Sequence, residues 1–442
     1  MLVALAVAPN LATSLVALAV LALAIATRPD VGLMLAVFLV PLAPLLKSFG
    51  PARFSYLETV TLLALASQLG RDALSVAGWM RERQQGRVGP GSRPWPWLRQ
   101  ARALDLGLAL LVAVSIASLL ASENLRVSLR ELRVVVLQAA FLYWLVVRCR
   151  LGRDGLLHLA DVLVLSATVV SLQGLFQYLL TEQVIVAEGV RRVRGIYGSP
   201  NNLALVLGRA FPLMLATVLS VLRGPRRWLY GVAAALAALC LFLTFSRGAW
   251  FFGAPASLVA LAFLAGRRWR IVIAGLAALA LVGAVPLLGT ARFASLFALE
   301  GTSLLRLKLW EAAWEMGWDH PWFGVGLDNF LYQYPRYIRP EAASEPHLSH
   351  PHNIALDFWL RLGLPGLLAF GWLQWRFFKE ALALWRRPLD PALRALNVGL
   401  LAGMASMMAH GLVDASFFVV ELAAIYALMV AFVRQMGGLE AI

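Results

Sequence analysis

The chain has 442 residues, of which 60% are hydrophobic and only 14% charged. An ordinary soluble domain is about 45–50% apolar and about 25% charged, so this much apolar surface requires a bilayer rather than a water-facing core. Two cysteines, Cys149 and Cys240, both inside apolar runs, exclude a disulfide framework and a cysteine-rich zinc module. The net charge of +15 sits in short clusters at the ends of apolar segments, the orientation signature of a membrane protein and not a nucleic-acid-binding face.

A helix needs about 20 apolar residues to cross the hydrocarbon. Candidate segments run near Leu11–Thr27, Val31–Leu46, Phe54–Leu69, Ala103–Ala121, Leu132–Val147 and Leu156–Leu180. They continue near Asn202–Leu222, Trp228–Phe245, Ala249–Ala265, Ile271–Leu288, Ile354–Phe378, Ala395–Leu412 and Phe417–Val433. The prediction is an all-α polytopic membrane protein with about twelve transmembrane helices. Residues 1–288 form the first part of the bundle, 289–352 a cap loop and 353–442 the C-terminal part. The first segment lacks a basic n-region and does not read as a signal peptide.

Arginines set the sidedness. Arg81, Arg83, Arg87, Arg93, Arg99 and Arg102 crowd one loop, and the clusters Arg148/Arg150/Arg153, Arg223/Arg226/Arg227, Arg267/Arg268/Arg270 and Arg386/Arg387/Arg394 recur at every second connection after it. These face the cytoplasm by the positive-inside rule. The connections Ser122–Glu131, Thr181–Pro200, Ser246–Gly248, Gly289–Pro351 and Val413–Ser416 then face outward. The longest, at about sixty residues, is far beyond a common connection. Within it Ser303–Trp318 has helical spacing, with Trp310 and Trp314 four apart and Glu311 and Glu315 on a neighbouring face. Gly324-Val-Gly326 is a turn signal, and Tyr332, Tyr334 and Tyr337 follow. The aromatics fit an interfacial belt or a sugar-stacking role equally.

The spans carry few charges, whereas a transporter places charges or broken helices near the midplane. The polar residues gather instead at outward ends, in three sets. The first is arginine. Arg247 stands in the outward turn Ser246-Arg-Gly248; Arg191, Arg192 and Arg194 precede Gly195-Ile-Tyr-Gly-Ser-Pro-Asn201-Asn202; Arg306 begins the helix of the large loop. Guanidinium groups chelate phosphate oxygens bidentately and stay charged when partly desolvated. They also snorkel to lipid phosphate or cap helix C-termini. The second is His347-Leu-Ser-His350-Pro-His352-Asn353, with three of the six histidines. An imidazole titrating near about pH 6.5 can take a proton from a sugar hydroxyl. With Glu345 the set also fits zinc spacing, and it fits a plain surface loop; the two prolines and the lack of a second ligand cluster disfavour metal. His352, nearest the next span, is the candidate base. The third is Asp414, placed to orient a guanidinium or the histidine, or to cap a helix.

These residues together resemble the O-antigen ligase and polymerase superfamily of bacterial envelope glycosyltransferases. His352-Asn353, nine residues, then Gly363-Leu-Pro-Gly366 reproduces the His-[Asn/Ser/Gln]-x9-Gly-x-x-Gly pattern of O-antigen ligases. Ser246-Arg-Gly248, Arg306 with Trp310, Pro321-Trp-Phe-Gly-Val-Gly326 with Phe330, and Gly198-Ser-Pro-Asn201 are further landmarks, covering roughly Arg194 to Asp414. The first spans match only as hydropathy. The resemblance implies a C-type glycosyltransferase of the bacterial inner membrane, its periplasmic cap over a lateral opening to lipid. It implies an undecaprenyl-diphosphate-linked glycan donor, lipid A–core or another glycan as acceptor, and inverting transfer without cofactor or metal. Arg247 and Arg306, with Arg194, would hold the diphosphate, and His352 would act as base or position the acceptor. Asn353, Asp414, His350 and Asn201 would support them. His350 departs from the pattern and makes the local sequence His-Pro-His. Polymerase and protein O-oligosaccharyltransferase share the fold; a flippase and a peptidoglycan polymerase of the shape-and-division type are the alternatives outside it.

Overall fold

The computed structural model describes residues 2–7, 10–49, 52–87, 102–149, 151–187, 189–220, 224–285 and 302–439. Arg93, Arg99, Arg150, Arg223 and the first part of the predicted cap, 289–301, lie outside them. Among the described residues the chain is helical apart from two short antiparallel hairpins, Leu46–Phe49 with Ala52–Ser55 and Ile185–Ala187 with Val190–Arg192.

Among the described residues six helices are long and apolar enough to cross a membrane: Ala103–Ala121, Arg153–Leu180, Pro200–Leu219, Pro225–Leu243, Ile354–Trp385 and Pro391–Gly411. A seventh candidate is the pair Leu11–Thr27 and Pro29–Leu39, bent by 119° at its break. The sequence predicts two straight spans there. Pro29 has no N–H to continue the ladder and disfavours a helical residue before it, so Arg28 leaves the helix at φ −130°. Other predicted spans form helices that are shorter, interrupted or more polar. Leu125–Glu131 passes through a π-helical stretch, Leu132–Leu137, into Gln138–Arg148. Tyr56–Gln84 runs on into a polar half containing Arg71, Asp72, Arg81 and Arg83.

Val420–Met436 is the central helix: every residue from Glu421 to Met436 is buried, as a helix apolar on all sides requires. Pro200–Leu219 and Pro391–Gly411 pack at very short range because Gly399 and Gly403 present no side chain. A Cβ on Gly399 would lie 2.6 Å from Leu213 Cα, and one on Gly403 2.9 Å from the Arg209 carbonyl oxygen. Small residues four apart are the usual means of close helix approach in lipid.

The cap helix runs Thr302–Asp319, within a residue of its predicted limits. Leu309, Ala312, Ala313 and Met316 turn inward onto Val325, Phe330, Tyr334 and Leu360. The chain then turns through Gly324 and Gly326 at φ +65° and +91° and meets the long helix Ile354–Trp385 backbone to backbone. Val325 N–H donates to the Leu360 carbonyl and Leu364 N–H to the Pro321 carbonyl, both at 2.7 Å. The long helix frees these groups by breaking at Gly363 (φ +71°, ψ −177°), two residues before Pro365. A Cβ on Gly363 would sit 2.1 Å from the Trp322 carbonyl oxygen, and one on Gly324 2.2 Å from that of Leu360. Both glycine motifs named from the sequence are thus the two halves of one contact.

Gly363→Ala is expected to destabilise the folded protein by at least about 2 kcal/mol through backbone collision and positive φ. Gly371→Ala, on the same helix with nothing within 4 Å, serves as control. Thermal unfolding of both variants in detergent checks this; equal midpoints would remove the contact's role.

Candidate active site

His352 stands where the cap chain enters the long helix. Asn353 is the N-cap, its Oδ1 accepting from the backbone N–H of Ala355 and Leu356 at 3.0 and 3.1 Å. Its Nδ2 donates to the Leu412 carbonyl at 3.0 Å, stapling the helix start to the connection that carries Asp414. His352 itself has φ +50°, an uncommon conformation for a residue with a side chain and one that concentrates at functional sites. Its Nδ1 lies 2.9 Å from Asp414 Oδ1.

Asp414 is buried at 5% exposure. Burial works to raise its pKa, but the hydrogen bond and charge of His352, with the charges of His410 and His350, hold the carboxyl well below the usual carboxylate range. An ionised carboxylate only accepts, so the proton between them belongs to His352 Nδ1 and leaves Nε2 as the ring's basic nitrogen. His350 packs edge-to-face on His352 with ring centroids 4.2 Å apart, and its Nδ1 is enclosed without a hydrogen-bond partner. Burial and the neighbouring His352 push the His350 pKa down, so it is neutral at pH 7 and acts as a wall.

A second imidazole shares the carboxylate: His410 Nε2 is 3.9 Å from Asp414 Oδ2. His410 also explains Gly248. A Cβ there would lie 2.4 Å from His410 Cδ2, so the turn bearing Arg247 rests directly on this ring. Arg247, Gly248, His410, Asp414 and His352 therefore form one continuous run at one end of the bundle. Arg306 joins them, its charge being within electrostatic reach of His410. Arg194 and Asn201 belong to the adjoining segment. Arg192, not Arg194, makes the link, donating from Nε to the Thr244 carbonyl at 2.8 Å and from Nη2 to Asn201 Oδ1 at 3.0 Å. Arg191 donates to the Tyr178 and Thr181 carbonyls and so caps a helix end. Arg194 Nε is enclosed without a hydrogen-bond partner. Among the described residues no three His, Cys, Asp or Glu side chains are grouped to hold a metal ion.

Sequence reading missed the hub behind these residues. Arg361, 3% exposed, pairs with Asp357 at 2.7 Å and with Glu131, lies 4.0 Å from Asp328, and stacks over the Phe418 ring at 4.8 Å. Its Nη2 also reaches the Ser349 carbonyl at 3.4 Å, just before His350. One guanidinium thus ties the Ser349–His352 loop to the long helix and to the C-terminal end of Leu125–Glu131. The signal was present as Asp357 and Arg361 four apart in an otherwise apolar segment. The prediction of clean spans is also corrected. Arg209 is buried midway along Pro200–Leu219, its Nη2 donating to the Ser416 carbonyl and to Ser416 Oγ at 3.0 Å.

Two outcomes follow from these charges. Arg361→Met leaves Glu131 and Asp357 facing one another without their cation and should cost about 3–5 kcal/mol, part of it recovered by adding Glu131→Gln; thermal unfolding reads both. Asp414 has a native pKa below the unfolded value of about 3.9, so its stabilisation is complete above about pH 5 and fades as pH falls through the native value. The stability deficit of Asp414→Asn should accordingly narrow in acid, and a deficit constant from neutral pH to about pH 3 would contradict the assignment.

Residues 232–371, about a third of the chain, match the family model described as O-antigen ligase. The match spans Arg247, Arg306, His350, His352, Asn353 and both glycine motifs, and leaves Arg194, Asn201 and Asp414 outside it. No curated protein matches the chain.

Proposed function

We propose that this protein transfers a glycan from undecaprenyl diphosphate to a sugar hydroxyl at the periplasmic face of the inner membrane, with lipid A–core as acceptor, inverting the anomeric centre and using no metal. In this reading the bent pair counts as one span and Tyr56–Gln84, the run through Leu125–Glu131 and Gln138–Arg148, Ala249–Leu264, Arg267–Ala284 and Val420–Met436 also cross, giving about twelve spans of a C-type glycosyltransferase. The observation that carries the proposal is the His352–Asp414 pair, 2.9 Å apart, on elements stitched to the Arg247 turn. It supplies a general base whose tautomer is fixed by a buried carboxylate, next to cations suited to a diphosphate.

Nε2 of His352 takes the proton of the acceptor hydroxyl as its oxygen attacks the anomeric carbon. The bond from that carbon to the diphosphate oxygen breaks on the opposite face, and the electron pair leaves with undecaprenyl diphosphate. Arg247 and Arg306, together with Arg194 from the adjoining segment, would neutralise the charge that develops on the leaving group, which is electrostatic stabilisation aimed at the transition state. Asp414 keeps His352 aligned and balances the imidazolium formed. Asn353 fixes the helix start, Asn201 holds the neighbouring segment through Arg192, and His350 walls the ring.

The test is transfer by purified protein in detergent with a lipid-linked glycan donor. His352→Ala should fold and lose about 10²–10⁴ in rate, and Asp414→Asn about 10²-fold through lost orientation. Arg247→Ala and Arg306→Ala should lose at least about 10² and raise the donor KM. An enzyme releases undecaprenyl diphosphate without a gradient, whereas a flippase leaves the donor intact. Wild-type-like release by His352→Ala or Arg247→Ala would defeat the proposal. Deleting the gene identifies the acceptor: unligated polymer held on its carrier marks a ligase, and single unpolymerised units mark a polymerase.

A further inference from the structure

We infer that the outer face of the cap helix is a track for the donor's sugar chain, running from Arg306 over Trp310, Trp314 and Trp318. The identity of the chain as a donor glycan rests on the transfer reading above. The four residues are four apart and so share one helix face. At 1.5 Å per residue the row is about 18 Å long, enough for a short oligosaccharide. Its start is the arginine proposed for the diphosphate. Trp310 Nε1 donates to the Pro351 carbonyl at 2.9 Å, one residue before His352, so the first indole abuts the candidate base. The tryptophans line a groove of about 740 Å³ together with Glu315, Asp319 and Arg339.

The groove has the composition of a saccharide site. Pyranose rings present C–H faces that pack on indoles, and their hydroxyls bond to carboxylate and guanidinium groups. Trp314 and Trp318 are 54% and 57% exposed, yet their orientation is set. They meet each other edge-on at 5.9 Å, and each meets the buried Trp359 edge-on at 5.2 and 5.5 Å. Arg339 is held by Glu315 at 2.7 Å, and Asp319 accepts from the Tyr337 hydroxyl at 2.9 Å. The groove lining holds three carboxylates (Glu311, Glu315, Asp319) against one cation (Arg339), a balance of −2, while Lys308 beside it pairs with Glu311. That balance favours neutral or amino-bearing sugars over uronate-rich ones. It also argues against a lipid-facing belt, because hydrocarbon would have to desolvate carboxylates that sit among the indoles.

The test measures binding to the full-length protein in detergent with three probes: glycan released from its carrier by mild acid, undecaprenyl diphosphate without sugar, and vesicles of phosphatidylethanolamine and phosphatidylglycerol. Trp314→Ala and Trp318→Ala should each weaken the released glycan about five- to tenfold, and Asp319→Asn about threefold. Affinity for undecaprenyl diphosphate should stay within about twofold in all three. Glycan binding unchanged in the tryptophan variants, or none by wild type, would overturn the track. So would variants whose loss is for vesicles instead of glycan. Loss of undecaprenyl diphosphate binding in Arg247→Ala bears on the transfer reading alone. Should that variant bind and transfer normally while glycan binding still depends on Trp318, the transfer reading fails and the groove remains a saccharide site.

Discussion

Asp414 accepts the Nδ1 proton of His352 at 2.9 Å and faces His410 across 3.9 Å, so one buried carboxylate lies between imidazoles from two different parts of the chain. An isolated buried carboxylate is costly, and in practice such a group is paired or protonated. Here the pairing comes from His352, and the backbone N–H of Ala415 adds a further bond to Oδ1 at 2.9 Å. Satisfying the carboxylate fixes where the connection between the last two helices must lie. That in turn fixes His410, and His410 leaves room at Gly248 for a turn without a side chain. The turn that carries Arg247 is thus packed on a ring that faces Asp414, although the two residues are far apart in sequence.

The cap is held by a different kind of contact, and both kinds are needed. Backbone groups of Pro321–Val325 bond to those of the long helix, which must interrupt its own ladder at Gly363 to receive them. A freed carbonyl or N–H inside a membrane protein is tolerated only when it finds another partner. The cap supplies those partners, so break and cap are complementary and neither is stable without the other. Arg361 lies two residues before the break and pairs with Glu131 and Asp357. A buried ion cluster of this kind contributes little net stability over an apolar packing, and its attested value lies in register. The register it sets here is that of the segment from Ser349 to His352 relative to cap and bundle.

The legible part of this molecule was what depends on local sequence. The cap helix could be read from indoles and carboxylates at helical spacing, the double-glycine turn from Gly324-Val-Gly326, and His352 was singled out by its place nearest the next span. Asp414 was visible as a polar residue at an outward end, but its partner was open among guanidinium, imidazole and helix cap, and only packing chose the imidazole. The break after Thr27 was legible as the boundary between two apolar segments, whereas the angle across it, 119°, was not. Arg361 with Glu131, and His410 with Gly248, were missed for a shared reason. Their partners are 230 and about 160 residues apart, and no local pattern carries a pairing set by tertiary packing.

Arg209 bears on the remaining question of class. A buried arginine midway along a span is ordinarily a sign of an ion or substrate pathway. Its guanidinium, however, is directed to the Ser416 carbonyl and hydroxyl, two residues beyond Asp414, and Glu421 at the start of the central helix lies within its electrostatic reach. Ser416 Oγ passes the bond on to the Met407 carbonyl at 3.1 Å, back into the helix that carries His410. The charge in the bundle therefore braces the same connection that holds Asp414, from below, as Asn353 braces it from above. A pathway would need such a group to exchange partners, whereas this one bonds to a backbone carbonyl whose displacement would move the carboxylate between the two histidines. The buried cation is thus tied through Nη2 to the connection that carries Asp414.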